Sequence, residues 1–305
     1  MTTDRPVLVL VNVSAGSVEQ DRVEQVCRAL RERSPSGVEV QDPGSDEDYT
    51  RTVATAAGRD VVVVGGDGSV HRLMQEVVDQ ELQAGLGAVG LVPMGTGNDL
   101  ARDAGIPLDW REAVDVAVRG RPSERALLVD EDGHVVVNVA HCGVAAEATA
   151  HAAEVKGLLG RLAYAWGALR AGLTRRGWHL RVVADGRTVV DGSEPVLMVS
   201  VALGSSVGGG TPIAPEARHD DGLLDVVVAS GTSPWSRVGF ARDLRRGRHI
   251  ERDDVLVVRG REVVVEALGA RDAFRINADG DVADGRLRRR RWELLDDAWR
   301  LRTPH

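Results

Sequence analysis

The chain has 305 residues, of which 43% are hydrophobic and 28% charged, and a net charge of −8 at pH 7. At roughly 100–200 residues per domain, that length suggests two domains with ample apolar surface for a core. The acidic balance excludes a global attraction to polyanions, so no nucleic-acid partner is expected, and any contact with anionic lipid has to be a local patch. The 35 glycines follow no fixed period, which excludes collagen-like classes. No apolar stretch reaches the roughly 18 residues of a membrane-spanning helix.

The start, Met1-Thr2-Thr3-Asp4-Arg5, has neither the length nor the cleavage site of a signal peptide. Two cysteines, Cys27 and Cys142, make neither a disulfide framework nor a zinc ribbon, so a reducing cytoplasm is the expected compartment. Of the 38 basic residues only Lys156 is a lysine, and it follows Val155 rather than glycine. A Walker A loop is therefore absent, and nucleotide phosphates would have to be held by backbone amides, arginines and metal.

In chain order, strands and helices alternate over residues 1–122. Val7–Asn12 reads as a strand ending in a turn. Residues 18–33 carry Val18, Val23, Val26, Ala29 and Leu30 at helical spacing. Val38–Val40 reads as a strand and Asp46–Ala57 as a helix. Val61–Val64 is four valines in a row, the pattern of a strand buried on both faces. Gly65-Gly66-Asp67-Gly68 ends it, and a helix is expected over Val70–Val78. Ala88–Val92 is a second buried strand, followed by helices at 99–104 and 110–119. This order predicts a parallel sheet with helices on both faces.

From 123 to 290 the pattern predicts a mostly antiparallel β-sandwich. Its expected strands are Val135–Val139, His179–Val183, Thr188–Val190, Val196–Ala202, Leu224–Ala229, Val255–Val258, Glu262–Glu266 and Phe274–Asn277. Helices are expected near 156–173 and 234–246. Residues 291–305, with Trp292 and Trp299, are expected to pack back on the core.

Gly65–Ser69 lies between a buried strand and a helix, where glycines admit close approach of a ligand and the helix start offers N–H groups to an anion. Asp67 there is able to hold magnesium directly or through water; equally, it could simply cap the helix. Gly95-Thr96-Gly97-Asn98-Asp99-Leu100 repeats the arrangement after the next strand, and Asn12–Gly16 makes a third turn at the same edge. Ligands of open α/β sheets bind at that edge. Asp220-Asp221-Gly222 and Asp279-Gly280-Asp281 are acidic turns that suit either an oxygen-ligand metal site or a hairpin.

Asn12–Gly16, Gly65–Ser69, Pro93–Asp99, Asp220–Asp225 and Asp279–Asp281 stand in the order and spacing of the diacylglycerol kinase catalytic-domain family, which the chain resembles over nearly its whole length. The resemblance implies an N-terminal α/β nucleotide domain and a C-terminal β-sandwich. It also implies transfer of the ATP γ-phosphoryl group to a lipid hydroxyl, with diacylglycerol or a sphingoid base as acceptor. A nucleotide- or lipid-binding regulator on the same fold is the non-enzymatic alternative.

Residue by residue, Asn12, Val13, Ser14, Ala15 and Gly16, the run Gly65, Gly66, Asp67, Gly68, Ser69, Val70, His71 and Arg72, and Thr96 would line the ATP site. Asp67 would also organise catalytic Mg2+. The carbonyls of Arg218 and Leu223 with the Asp221 carboxylate would hold a structural magnesium, and Asp281 would take the proton from the lipid hydroxyl.

Departures from the family pattern are Ser69 for threonine, His71-Arg72 for Asn-Glu, and Asp281 for glutamate. Leu127 stands where bacterial members often carry an aspartate, with Asp130 three residues on. A 6-phosphofructokinase would need a Thr-Ile-Asp-x-Asp segment and an NAD kinase a Gly-Phe-Leu segment after the second glycine turn; neither is present. His141 and Cys142 read as structural. The five arginines Arg286, Arg288, Arg289, Arg290 and Arg291, with an amphipathic helix over 156–173, are the expected places for peripheral membrane contact. Whether the protein pairs as a homodimer is not encoded in any motif.

Overall fold

The computed structural model describes residues 5–12, 17–34, 36–144, 146–147, 177–231, 233–283 and 285–304. The expected helix over 156–173 lies outside them, as do Val13, Ser14, Ala15 and Gly16. The chain divides into two units, one of residues 1–127 with 295–305 and the other of residues 128–294.

The first unit runs β1 (Val7–Val11), α1 (Ser17–Arg33), β2 (Val38–Gln41), α2 (Asp46–Ala54), β3 (Asp60–Gly65), α3 (Asp67–Asp79), β4 (Ala88–Pro93), α4 (Asp99–Asp103) and α5 (Trp110–Arg119). Its strands lie parallel in the order β2-β1-β3-β4. Every residue of β1, β3 and β4 is buried, as the unbroken valine runs require of a sheet covered on both faces. Capping sets two helix starts: Ser45 Oγ accepts from the Asp48 N–H at 3.1 Å, and Asp109 Oδ1 from the Arg111 N–H at 2.8 Å. Helix α3 begins at Asp67, three residues before the expected Val70, so Asp67 sits in the first helical turn rather than on a loop.

Strand β5 (Arg121–Asp130) follows, unanticipated from its sequence because the charged residues 121–125 mask the apolar stretch Ala126–Val129. The second unit continues with β6 (Val135–Val136), β7 (Val139–Gly143), β8 (Leu180–Ala184), β9 (Arg187–Val190), β10 (Met198–Ala202), β11 (Ser206–Val207), β12 (Thr211–Pro212) and β13 (Leu224–Ala229). Helix α6 (Pro234–Leu244) leads to β14 (Val255–Gly260), β15 (Glu262–Ala267), β16 (Ile276–Ala278) and β17 (Asp281–Val282). The last strand, β18 (Arg289–Thr303), gives its residues up to Leu294 to this unit and the rest to the first. The expected strand 135–139 is interrupted at Val137 and Asn138, whose N–H groups bond the Asp279 carboxylate instead of a ladder partner.

Pairing within the second unit is antiparallel throughout. One sheet has the order β14-β13-β10-β7-β16-β17, and β18, β15, β8 and β9 are consecutive neighbours in another. Trp178, Phe274 and Trp292 are the largest fully buried side chains among its described residues.

A buried ion pair ties the C-terminal strand into the first unit. Arg302 Nη2 lies 2.6 Å from Asp60 Oδ2, and Arg302 Nη1 donates to the Gly120 carbonyl at 2.9 Å. Asp60 Oδ1 accepts from the Ala88 N–H at 3.0 Å. Both side chains are buried, so removing one partner strands a charge in the interior. Arg302→Ala is expected to lower unfolding stability by about 3–5 kcal/mol, measured by urea denaturation. Adding Asp60→Asn to that variant should restore part of the loss.

Candidate active site

The strand order β2-β1-β3-β4 reverses direction between β1 and β3, the switch point at whose carboxyl edge open α/β sheets bind ligands. Register places the ends of three strands together there. Val11 pairs with Val64, Gly65 with Pro93, and the Asn12 N–H donates to the Val64 carbonyl at 3.0 Å. Asn12, Gly65–Ser69 and Gly95–Leu100 therefore converge, as the three turns suggested.

The glycines do different work from one another. A Cβ on Gly66 would stand 2.8 Å from Gly95 Cα, and one on Gly95 would stand 2.6 Å from Gly66 Cα. The two loops thus pack backbone to backbone. Gly65 is similarly filled, by Ser69 Oγ at 2.3 Å from its would-be Cβ. Gly68 alone in this turn has nothing within 4 Å. It lies in the first turn of α3, where the Ser69 and Val70 N–H groups bond the Gly66 carbonyl at 3.0 and 3.3 Å.

Asp67 caps a helix, but not its own. Its Oδ2 accepts from the Asp99 N–H and its Oδ1 from the Leu100 N–H, both at 3.1 Å, closing the start of α4. Asn98 is unable to cap that helix because it sits in the left-handed region, at φ 54°. Its amide is spent on both backbone groups of Gly95, at 3.0 and 2.7 Å. Asn98 was not among the expected site residues; its position just before a helix was the available signal.

Thr96 is exposed, and His71 half-buried, beside this convergence in sequence. Two expected lining residues are corrected. Val70 is wholly buried in the core, leaving only its backbone to meet a ligand. Arg72 turns to α2, stacking its guanidinium 3.9 Å from the Tyr49 ring centroid and pairing with Asp46 at 2.5 Å. Burial pushes the Tyr49 hydroxyl up, opposed by the Arg72 guanidinium.

In the second unit, Asp281 opens β17 and is exposed. It faces Ala278 across the two-residue turn Asp279-Gly280, whose φ values of 51° and 100° suit an Asp-Gly hairpin. The Asp279 carboxylate accepts from the N–H groups of Val137, Asn138 and Val139 at 2.6, 2.9 and 3.0 Å. Asn138 in turn donates Nδ2 to the Ser206 carbonyl at 2.8 Å. Asp279 and Asn138 thus fix the turn that carries Asp281, a role no spacing argument revealed.

Of the residues expected to hold a structural magnesium, Asp221 is engaged through both carboxylate oxygens. Asp221 Oδ1 accepts from the Leu223 N–H at 3.1 Å, and its Oδ2 pairs with Arg259 Nη2 at 2.8 Å. Arg259 also bonds Asp225 at 3.2 Å and the Glu216 carbonyl at 3.3 Å. Burial pushes the Asp225 carboxyl up, opposed by Arg259, while the hydrogen bond to Asp225 pushes the Arg259 guanidinium up. A guanidinium therefore places positive charge beside the carboxylate assigned to the ion. Arg218 bonds Asp220 at 3.3 Å.

Leu127 is fully buried, and Asp130 is engaged locally. Its carboxylate takes the Asp132 and His134 N–H groups at 2.9 Å and Arg290 at 2.7 Å.

Three further expectations resolve in this unit. Burial holds His141 down to about 4 and pushes Cys142 up to about 12, so neither is charged near neutral pH. Four of the five arginines of the run are matched by carboxylates: Arg286 with Glu147 at 2.5 Å, Arg289 with Glu131 at 3.0 Å, Arg290 with Asp130 at 2.7 Å and Arg291 with Glu262 at 2.6 Å. Arg290 is buried. The run consequently has little surplus charge for a bilayer. No helix among the described residues is long and apolar enough to cross a membrane.

Sequence comparison agrees with this layout. Residues 6–128 match the diacylglycerol kinase catalytic domain, and residues 138–289 match the YegS C-terminal NAD kinase beta sandwich-like domain. A diacylglycerol kinase from Mycobacterium tuberculosis is 31% identical over 83% of this chain and 81% of its own length. The chain belongs to the diacylglycerol kinase and YegS-like lipid kinase family.

A Pseudomonas aeruginosa member named "Probable lipid kinase YegS-like" is 31% identical over the whole chain and 96% of its own length. The crystal structure of a diacylglycerol kinase from Bacillus anthracis shares the fold with a TM-score of 0.77, at 20% identity, over 98% of this chain and 97% of its own. Yeast NADH kinase shares it more distantly, with a TM-score of 0.52 at 11% identity, over 97% and 82% of the two chains. The mixed α/β and antiparallel β class is thus that of the kinase family.

Two predictions follow the geometry. Gly95→Ala places a methyl against backbone and should destabilise by about 1–3 kcal/mol. Gly68→Ala enters open space and should leave thermal unfolding unchanged or slightly raised. Equal losses in the two would contradict the backbone contact. For the Arg259 cluster, the melting temperature should be the same in magnesium and in EDTA. Arg259→Ala should cost about 1–3 kcal/mol, less than a fully buried pair because the guanidinium is partly exposed. An EDTA-induced drop in the unaltered protein would show that an ion displaces Arg259.

Proposed function

We propose that this lipid kinase family member transfers the γ-phosphoryl group of ATP to a lipid hydroxyl, with diacylglycerol as the acceptor. The observation that carries the reading is the convergence of Asn12, Gly65–Ser69 and Gly95–Leu100 at the switch point of a parallel sheet. The acceptor is suggested by the name of the M. tuberculosis relative.

Phosphoryl transfer depends on alignment and charge neutralisation more than on covalent chemistry from the protein. The open space over Gly68 and its N–H at the start of α3 suit a phosphate, and Thr96 is exposed beside it in sequence. The Asp67 carboxylate is fixed at this edge by the Asp99 and Leu100 N–H groups, which suits holding magnesium through water rather than enclosing it. Magnesium, when bound, would neutralise phosphate charge.

The lipid hydroxyl oxygen attacks the γ-phosphorus, the bond to the β–γ bridging oxygen breaks and ADP leaves. Asp281 accepts the hydroxyl proton. Its exposure and its anchoring by Asp279 support that role.

Asp281→Asn should lower turnover about 10²–10⁴-fold, while nucleotide binding and melting temperature persist. Asp279→Asn should instead lower stability, because that carboxylate holds three N–H groups. The assay uses labelled ATP with diacylglycerol, sphingosine and polyprenol in detergent. Full turnover in Asp281→Asn removes its assignment as base. Transfer to a different lipid removes diacylglycerol as acceptor, and no transfer to any of the three removes the lipid-kinase reading.

A further inference from the structure

Helix α6 bears a stripe that the fold leaves uncovered. Trp235 is 86% exposed and Val238 52% exposed. Arg242 and Arg245, also exposed, continue the line at i+7 and i+10 from Trp235, and Arg246 follows the helix end. The opposite face is buried through Arg237 and Phe240, the latter edge-on to His249 at 5.7 Å.

The helix is bolted down on that inner side. Ser233 Oγ accepts from the Ser236 N–H at 3.1 Å, Arg252 Nη1 pairs with Asp243 at 3.1 Å, and Arg252 Nε with Asp254 at 2.7 Å. The exposed tryptophan is therefore presented by a fixed platform.

Charge on this segment runs against that of the chain. Residues 234–248 hold five arginines and one acid, Asp243, in a protein of net charge −8. Asp243 is taken by Arg252 and Arg242, and Arg248 pairs with Glu251 at 3.2 Å. Among the described residues, Arg245 and Arg246 have no acidic partner.

We propose that α6 is the surface by which this kinase docks on an anionic lipid bilayer, Trp235 and Val238 entering the interface while Arg242, Arg245 and Arg246 meet lipid phosphates. Tryptophan favours the boundary between water and hydrocarbon, and arginines beside it match anionic headgroups. A second copy of the chain fits less well. An indole offers on the order of 200 Å², well under the roughly 800 Å² per partner of a stable interface, and the arginines would face their own kind across a two-fold axis. The proposal rests on the lipid-kinase reading for the reason an enzyme of this family meets a bilayer.

The test is sedimentation of the full chain, without ATP, with vesicles of phosphatidylcholine alone or with about a third phosphatidylglycerol. Binding should require the anionic lipid and weaken with salt. Trp235→Ala should reduce partitioning by about tenfold or more. Neutralising Arg242, Arg245 and Arg246 to glutamine should reduce it by on the order of a hundredfold. Both variants should keep the unaltered melting temperature.

Turnover on lipid dispersed in detergent should be unchanged in both, which separates failure of the docking surface from failure of the kinase reading. Equal binding to neutral vesicles, or anionic binding that both variants retain, overturns the proposal. So does a concentration-dependent dimer abolished by Trp235→Ala in a chain that binds no vesicles.

Discussion

Gly66 and Gly95 touch through their backbones, with no room for a Cβ on either, and the candidate site is organised by that contact. It brings the loop after β3 against the loop after β4. Only at that separation can the Asp67 carboxylate reach the Asp99 and Leu100 N–H groups and close the start of α4. Asn98, held left-handed with its amide committed to Gly95, has no side-chain group left for capping. One carboxylate therefore does structural work for a helix and stands at the switch point of the sheet. The two roles are compatible because an ionised carboxyl has about four lone-pair sites.

Arginine substitutes for several other devices in this chain. With one lysine among 38 basic residues, the molecule builds its bridges from planar guanidinium forks. Arg302 joins Asp60 and the Gly120 carbonyl, Arg259 joins Asp221 and Asp225, Arg290 joins Asp130 and Asp132, and Arg252 joins Asp243 and Asp254. Each spans two acceptors, which a lysine point charge does with less geometric definition. The Arg259 bridge engages a carboxylate that the family resemblance gives to an ion. The Arg290 bridge absorbs charge from the arginine run. Most basic residues dense in sequence are in this way neutralised in space, whereas Arg245 and Arg246, just past the end of α6, have no acidic partner among the described residues.

The acidic turn at Asp279–Asp281 shows the same economy of position. Two aspartates separated by one glycine have opposite fates because a strand alternates its faces and a left-handed turn reverses the chain. Asp279 is drawn inward by three N–H groups left without ladder partners where β6 and β7 are interrupted. Asp281 is left exposed, on a hairpin that its neighbour holds in place.

The valine runs, the glycine turns and the Asp-Gly hairpin were legible in the sequence, since burial on both faces, tight turns and helix starts depend on residues near one another in the chain. So were the family and the edge of the sheet where the turns gather. What tertiary structure alone decided was which groups those residues satisfy. Asp67 caps a helix 32 residues away, Arg72 leaves the site for Tyr49 on α2, and Arg259 answers Asp221 across 38 residues. Strand β5 was missed because its early charges conceal an apolar end, and α3 began early because helix geometry was satisfied as soon as the second glycine turned the chain. Local propensity is set by neighbours in sequence; charge partners and loop contacts are set by distances that exist only once the sheet has formed.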